Sequence, residues 1–428
     1  MGVIQKDAFR TTVISYVGIL IGYLNKGLLF LIILSPTQIG LVNLIVSIGT
    51  LFAQLANFGT LYATWKFFPF VRNEEKKHHG FLPFMLLIVG VGIVVYTITY
   101  IVFRPQIEHV YIEKSPLFLD YYYWTLPIGI AYVIFMLLEI YLRSLYKNIT
   151  AVFAYEIALR LATTVILILK WMNLISFEWF VGLHSLLYII PTLILVVYLM
   201  RLGEFNIRFS NIKIAKRLRR IIFYFSTYSY LNTLGATLIN SLDVLMIAQF
   251  VGLSGTGVFT TVIFLTSVLQ VPFKSIARVS TPLISDYWKQ RDMEKMRDLY
   301  QKVSSVSLVI GLAMFILVWV NIDFFFSFLK PEFQDGIWVF FFIMMGRLVD
   351  MFFGLNGAIF TTSKKYKYDL LFTFFLIFAV FILNWIMIPI WGIIGAAIST
   401  SIALVVYNVG RLIFVWVMYK LHPFTRNQ

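Results

Sequence analysis

Long apolar stretches alternate with short polar segments along the entire chain. A helix rises about 1.5 Å per residue, so roughly 20 mainly apolar residues cross the ~30 Å hydrocarbon core of a bilayer. Twelve such spans are predicted, near 11–34, 38–65, 81–103, 117–142, 149–169, 176–200, 221–249, 255–285, 303–328, 336–361, 368–388 and 392–419. Several exceed that length, which implies tilt or ends that extend past the membrane. The first span follows Lys6 and Arg10 and continues to Leu34 with no small-residue cleavage pattern after it. It is therefore read as a span and not as a cleaved signal. The expected fold class is an all-α polytopic membrane protein.

Lys and Arg in the short connecting segments set the orientation. With odd-numbered spans running outward, the cytoplasmic segments hold 25 basic residues and the opposite side holds 4 (Arg104, Lys114, Lys170, Lys330). Both ends are therefore placed in the cytoplasm. The densest basic cluster, seven residues from Arg201 to Arg220, separates spans 6 and 7. It reads as ordinary cytoplasmic anchoring or as a linker that attracts anionic headgroups, at ~1 kcal/mol per basic residue.

Composition agrees with this picture. Of 428 residues, 60% are hydrophobic and 13% charged; soluble domains average about 45–50% and about 25%. The net charge of +15 follows from the sidedness of the basic residues, without nucleic acid as a partner. Cysteine is absent, which removes disulfides and thiolate chemistry.

Shifted by 217 residues, the chain repeats its own layout: long span, tight glycine turn, long span, charged loop. Gly18 meets Gly235, Lys26 meets Asp243, and Gly40 meets Gly257, each of the last pair in a turn between a first and a second span. Six spans per half in equal orientation make parallel repeats, a common transporter plan. The expected domains are an N-lobe over 1–205, a basic linker over 206–220 and a C-lobe over 221–428.

Polar residues inside the spans are the candidate chemistry. Ser15, Gly18, Gly22, Asn25 and Lys26 share one face of span 1. Ser229, Asn232, Ala236, Asn240 and Asp243 share one face of span 7. Small and polar residues also serve as contacts between membrane helices, so the charges carry more weight. Lys26 lies about fifteen residues into its span, roughly 22 Å deep. Intramembrane charges are costly and usually face a cavity or a partner. The simplest expectation puts both on a central polar cavity, with Lys26 offered to an anionic substrate and Asp243 to a coupling ion. In span 8, Ser267, Gln270, Lys274, Arg278 and Thr281 form a stripe, with Pro272 as a kink; the two cations either snorkel to the headgroups or form a basic entry site. Glu139/Arg143, Glu156/Arg160 and Arg347/Asp350 are spaced to neutralise one another along a helix. Arg411, near Asn408, has no assigned role. His78 and His79, in a Lys-rich loop, read as solvated.

There is no GxxxxGK[ST] motif, no HExxH and no large extramembrane loop. Hydrolysis of ATP within the chain and enzymatic chemistry generally are not expected, nor is a channel filter.

The opening stretch resembles the Wzx-like polysaccharide-export flippases of the MOP (MATE-like) superfamily. The resemblance rests on Gln5-Lys-Asp-Ala-Phe-Arg10, Ser15-Tyr-Val-Gly18, Tyr23-Leu-Asn-Lys26, Ser35-Pro-Thr-Gln-Ile-Gly40, Phe67-Phe-Pro69 and Asn240-Ser-Leu-Asp243 followed by Gly257. It implies two six-helix lobes in a V around a central cavity. It implies a multi-pass protein of the bacterial cytoplasmic membrane that moves a polyprenyl-pyrophosphate-linked oligosaccharide by alternating access. Its implied partners are that lipid-linked oligosaccharide, membrane lipids, and polysaccharide polymerases or glycosyltransferases. Cavity cations would hold the pyrophosphate, here Lys26, Lys274, Arg278 and Arg347, with Ser15, Asn25, Asn232 and Asn240 as polar lining. Related lipid II flippases carry a sodium site on spans 7, 11 and 12. By position the coupling-ion candidates are Asp243 and Asp350, with Asn384 and Thr400; span 11 lacks the acidic residue of those relatives. No organic cofactor or structural metal is implied, only coupling by sodium or protons. Some members carry two further spans, so the chain reads as a twelve-span member or a shortened one. The alternative is a MATE-type exporter of small organic cations, which the basic inventory disfavours.

Overall fold

The computed structural model describes residues 3–424, except 74, 209, 211, 328, 364 and 366, and except the side chains of 3–6, 8, 228, 229, 231–233, 236, 240, 268, 361 and 367. Every regular element among the described residues is helical, with no strand. Inside hydrocarbon a helix satisfies every backbone N–H and C=O within its own segment, and the apolar runs form helices accordingly.

Nine helices among the described residues are long and apolar enough to cross a membrane. The last of these, Tyr368–Tyr419, is two spans joined through Gly392, whose φ of 58° and ψ of −136° turn the chain sharply. The pair Leu253–Ser267 and Val271–Gln290, bent by 53°, makes one more. The helix Lys216–Phe250 supplies the seventh in chain order. All twelve expected spans are thus represented, and they are numbered 1–12 below in that order.

Several spans are not the uninterrupted rods the apolar pattern predicts. Span 1 (Val3–Leu24, then Phe30–Ile33) contains a π turn at Asn25–Leu29. Span 5 (Ile149–Phe153, then Leu159–Trp171) contains one at Ala154–Ala158. Span 2 breaks between Pro36–Ala56 and Thr60–Val71. At that break Phe58 and Gly59 take φ of 45° and 75°. Asn57, 1% exposed, compensates the interrupted ladder. It accepts from the Gly59 N–H at 2.8 Å and donates to the Gln54 carbonyl at 2.6 Å, while the Thr60 hydroxyl donates to the Asn57 carbonyl at 2.8 Å. Span 8 bends just before Pro272, as expected of a ring that removes a donor and clashes one turn back.

The chain forms two compact units. The first comprises residues 1–35 and 41–241, the second 36–40 and 242–428. The division falls inside span 7 and not at the expected linker, 206–220. The reason is packing: Ser226 presses against Gly59, and Tyr230 donates to the Leu55 carbonyl at 2.8 Å. In the first unit, span 4 (Thr125–Ser144) packs on spans 2, 3 and 6. Phe68, Phe81 and Tyr141 are fully buried there. In the second unit, span 10 (Gly336–Phe353, then Leu355–Thr362) packs on spans 9, 11 and 12. Large apolar side chains such as Val94, Leu317 and Phe378 point outward from the units, as a lipid solvent allows.

Gly40 and Gly257, paired by the internal repeat, lie together in the second unit. A Cβ built on Gly40 would overlap the Leu253 carbonyl and come within 2.9 Å of the Gly257 nitrogen. One on Gly257 would overlap the Pro36 carbonyl and come within 3.0 Å of the Gly40 nitrogen.

Candidate functional site

The second unit brings three of the four coupling-ion candidates together. Asp243, on span 7, is 8% exposed, and Asn384 and Thr400 reach it from spans 11 and 12. Asn384 Nδ2 donates to Asp243 Oδ1 at 2.7 Å, and Thr400 Oγ1 donates to Oδ2 at 2.8 Å. Asn384 is fully buried, and its Oδ1 has no hydrogen-bond partner. No cation of the protein lies within 4 Å of the carboxylate among the described residues. A buried carboxylate without a counter-charge is costly unless a proton or a cation neutralises it. The donor set is all oxygen once the Asn384 amide turns its orphaned carbonyl inward, which suits a hard cation.

Asp350, the fourth candidate, is separate. It accepts from Asn408 Nδ2 at 3.2 Å, and Arg347, Arg411 and Lys274 are within electrostatic reach. Arg347 donates to the Ile263 carbonyl at 3.5 Å. Arg411, unassigned in the sequence, forms an ion pair with Asp369 at the start of span 11 and lies 4.6 Å from the Tyr407 ring centroid. The 42-residue separation of that pair left no signal in sequence spacing.

The polar face of span 1 is mainly a helix contact. Gly18 abuts Glu156, and Gly22 abuts the Arg160 guanidinium. Arg160 donates to the Gly18 carbonyl while paired with Glu156. Asn25, expected in a cavity, is instead 3% exposed. It donates to the Arg160 carbonyl at 2.8 Å and accepts from the Thr164 hydroxyl at 2.8 Å. The two π turns supply the reason: they sit on the two helices that meet here, and each adds a residue per turn that re-aims the neighbouring side chains. Lys26, next in sequence, is exposed, with Arg160 and His184 within electrostatic reach. Ser15 lines a cavity of about 350 Å³ inside the first unit, together with Tyr132, Glu139, Arg143, Tyr155 and Glu156. The side chains of Asn232 and Asn240 lie outside the described residues.

Lys274 and Arg278 are both exposed on the second half of span 8. Neither they nor Lys26 has a carboxylate within 4 Å among the described residues. The pairs Glu139/Arg143 and Glu156/Arg160 form as the spacing predicts. His78 differs from expectation: it is 1% exposed and not solvated. Its Nδ1 accepts from the Asn73 N–H at 3.0 Å, so Nε2 carries the proton toward Glu204 Oε2, 2.9 Å away. A histidine in a Lys-rich loop gives no sequence sign of a carboxylate 126 residues later.

No family model matches the sequence, and no curated protein matches it. Solved structures do match in fold. A lipid II flippase (MurJ) in an inward closed conformation has a TM-score of 0.76 at 13% identity, covering 95% of this chain and 87% of that one. A MOP superfamily transporter from Pyrococcus furiosus, described as having a binding pocket of reverse polarity, has a TM-score of 0.62 at 15% identity, covering 97% and 96%. An inward-facing multidrug resistance MATE family transporter has a TM-score of 0.74 at 16% identity, covering 96% and 98%. The chain therefore has the fold of MOP superfamily transporters.

Proposed function

We propose that the protein is a flippase that moves a polyprenyl-pyrophosphate-linked oligosaccharide from the inner to the outer leaflet of a bacterial cytoplasmic membrane. The observation that carries this reading is the set of exposed cations within the spans that have no carboxylate within 4 Å among the described residues, Lys26, Lys274 and Arg278, of which Lys274 has Asp350 within electrostatic reach. A charge kept in hydrocarbon at such expense is kept for a ligand of opposite charge, and a pyrophosphate supplies two or more negative charges on compact oxygens. Arginine meets such oxygens with a planar fork of donors, lysine as a point charge. The lipid tail stays in the bilayer while the headgroup passes between lobes that open alternately to each side.

Asp243, Asn384 and Thr400 are the coupling site of this proposal. A cation bound there neutralises the carboxylate, and its release leaves a buried charge that favours a different arrangement of spans 7, 11 and 12. Differential stability of two arrangements is what coupling requires.

The test is transfer of a fluorescent undecaprenyl-pyrophosphate oligosaccharide across reconstituted vesicles. Wild type is expected to transfer it. Lys26→Ala and Arg278→Ala are expected to lose transfer while remaining folded. A second reading, an exporter of small organic cations, draws on the buried carboxylates Asp243 and Asp350. Ion-driven efflux of such a cation without any lipid-linked sugar transfer would replace the first reading by the second.

A further inference from the structure

The first unit carries a groove of about 1250 Å³ between the first turns of span 3 (Phe81–Val102) and the N-terminal part of span 7. Its walls are apolar: Phe84, Leu87, Ile88 and Val91 on one side, Ile222 and Phe223 on the other. At one end stand Lys216, Arg217, Arg219 and Arg220, all exposed. The charge bias assigns that end to the cytoplasm.

Three features of the basic end point to an anion. The four residues open the helix Lys216–Phe250, whose first turn contains no acidic residue. A helix N-terminus already carries positive potential, so cations there are locally unfavourable. No carboxylate lies within 4 Å of any of the four among the described residues. Two of them are also held in place. Arg219 Nε donates to the Ile214 carbonyl at 2.9 Å with its guanidinium 6.0 Å from the Phe84 ring centroid, and Arg220 lies 5.8 Å from that of Tyr224.

The length of the groove identifies what continues from the anion. From Arg220 to Tyr230, the last lining residue, is ten residues of helix. That is about 15 Å, half of the ~30 Å hydrocarbon core, and so one leaflet. A phosphate at the surface with an acyl chain reaching the midplane is the shape of a phospholipid.

We propose that this groove binds one anionic glycerophospholipid of the inner leaflet, its phosphate on Lys216, Arg217, Arg219 and Arg220 and an acyl chain along Phe84, Leu87, Val91 and Phe223. The lipid fixes the basic linker to the membrane surface. This holds independently of what the protein transports.

The experiment is native mass spectrometry of the full-length detergent-purified protein titrated with phosphatidylglycerol, phosphatidylcholine or an undecaprenyl-pyrophosphate lipid. Wild type is expected to retain one phosphatidylglycerol with at least tenfold preference over phosphatidylcholine. Arg217→Gln/Arg220→Gln should weaken phosphatidylglycerol retention about 25-fold, about fivefold per charge, and leave phosphatidylcholine unchanged. Leu87→Trp/Val91→Trp keeps every charge but fills the groove. Both positions are exposed, at 45% and 52%, so the substitutions do not disturb the core, and this variant should lose phosphatidylglycerol as well. Equal retention of the two glycerophospholipids by wild type would overturn the proposal. So would retention unaffected by filling the groove, which indicates surface attraction alone. Stronger retention of the undecaprenyl-pyrophosphate lipid at the same residues would overturn it too, by making the groove a cargo site.

Discussion

Replacing Asp243 by Asn removes the formal charge of the proposed coupling site and preserves its shape. A cation bound to that site stabilises the folded protein by about 2.7 kcal/mol when present at 100 times its dissociation constant. Asn384 and Thr400 each make one bond to Asp243, at 2.7 and 2.8 Å. Loss of a neutral oxygen partner is worth about 1 kcal/mol, so Thr400→Val should weaken cation binding about fivefold. Loss of the buried charge is worth about 2–5 kcal/mol, a factor of roughly 30 or more. The assay is thermal unfolding of purified protein over a titration of sodium chloride, with potassium and choline chloride as controls at equal ionic strength. Wild type should gain stability with sodium alone, Thr400→Val should need more sodium, and Asp243→Asn should not respond. In sodium-free buffer Asp243→Asn should unfold at or above the wild-type temperature, because the uncompensated carboxylate is gone. That inverted order separates loss of a cation site from ordinary structural damage. An undiminished sodium response in Asp243→Asn refutes the site. A wild-type response that is the same for sodium, potassium and choline refutes it as well. A stability that depends on pH in wild type and not in Asp243→Asn, without any sodium effect, makes the proton the coupling ion.

Gly40→Ala or Gly257→Ala places a methyl group against backbone carbonyl, and overpacking of that kind should cost about 1–3 kcal/mol. A lowered melting temperature in both checks this, whereas Gly203→Ala tests the assay, since it meets nothing within 4 Å but has a φ of 72° and should cost only its backbone strain. Arg160→Ala leaves Glu156 unpaired at the contact of spans 1 and 5 and should destabilise by about 3 kcal/mol; restoration by Arg160→Ala/Glu156→Gln would locate the effect in the orphaned charge. His78→Ala removes the bond to Glu204 and the acceptor for the Asn73 N–H. It should expose the 73–80 segment to limited proteolysis while Lys77→Ala, at an exposed neighbour, should not.

The twelve spans and their order were determined by the sequence alone. The physical reason is that the bilayer imposes a length and an apolarity on each crossing independently of its neighbours. The same holds for the i,i+4 pairs Glu139/Arg143 and Glu156/Arg160, whose geometry is internal to one helix, and for the bend before Pro272. The repeat also pointed to Gly40 and Gly257, though not to their mutual contact. The Asp243–Asn384–Thr400 cluster was legible by position through a family resemblance, yet its closure depends on three helices far apart in sequence. What only the tertiary structure decided is which partner each polar side chain takes. Asn25 and Lys26 are neighbours in sequence, but a π turn sends one into a buried contact with Arg160 and leaves the other exposed. His78 is buried because Glu204 folds back against it, and Arg411 is paired because span 11 begins at Asp369. The division of the chain inside span 7 has the same origin, since Ser226 and Tyr230 pack on the break in span 2. Hydropathy is a property of single segments and survives in a linear reading; pairing is a property of two segments and exists only once they have packed.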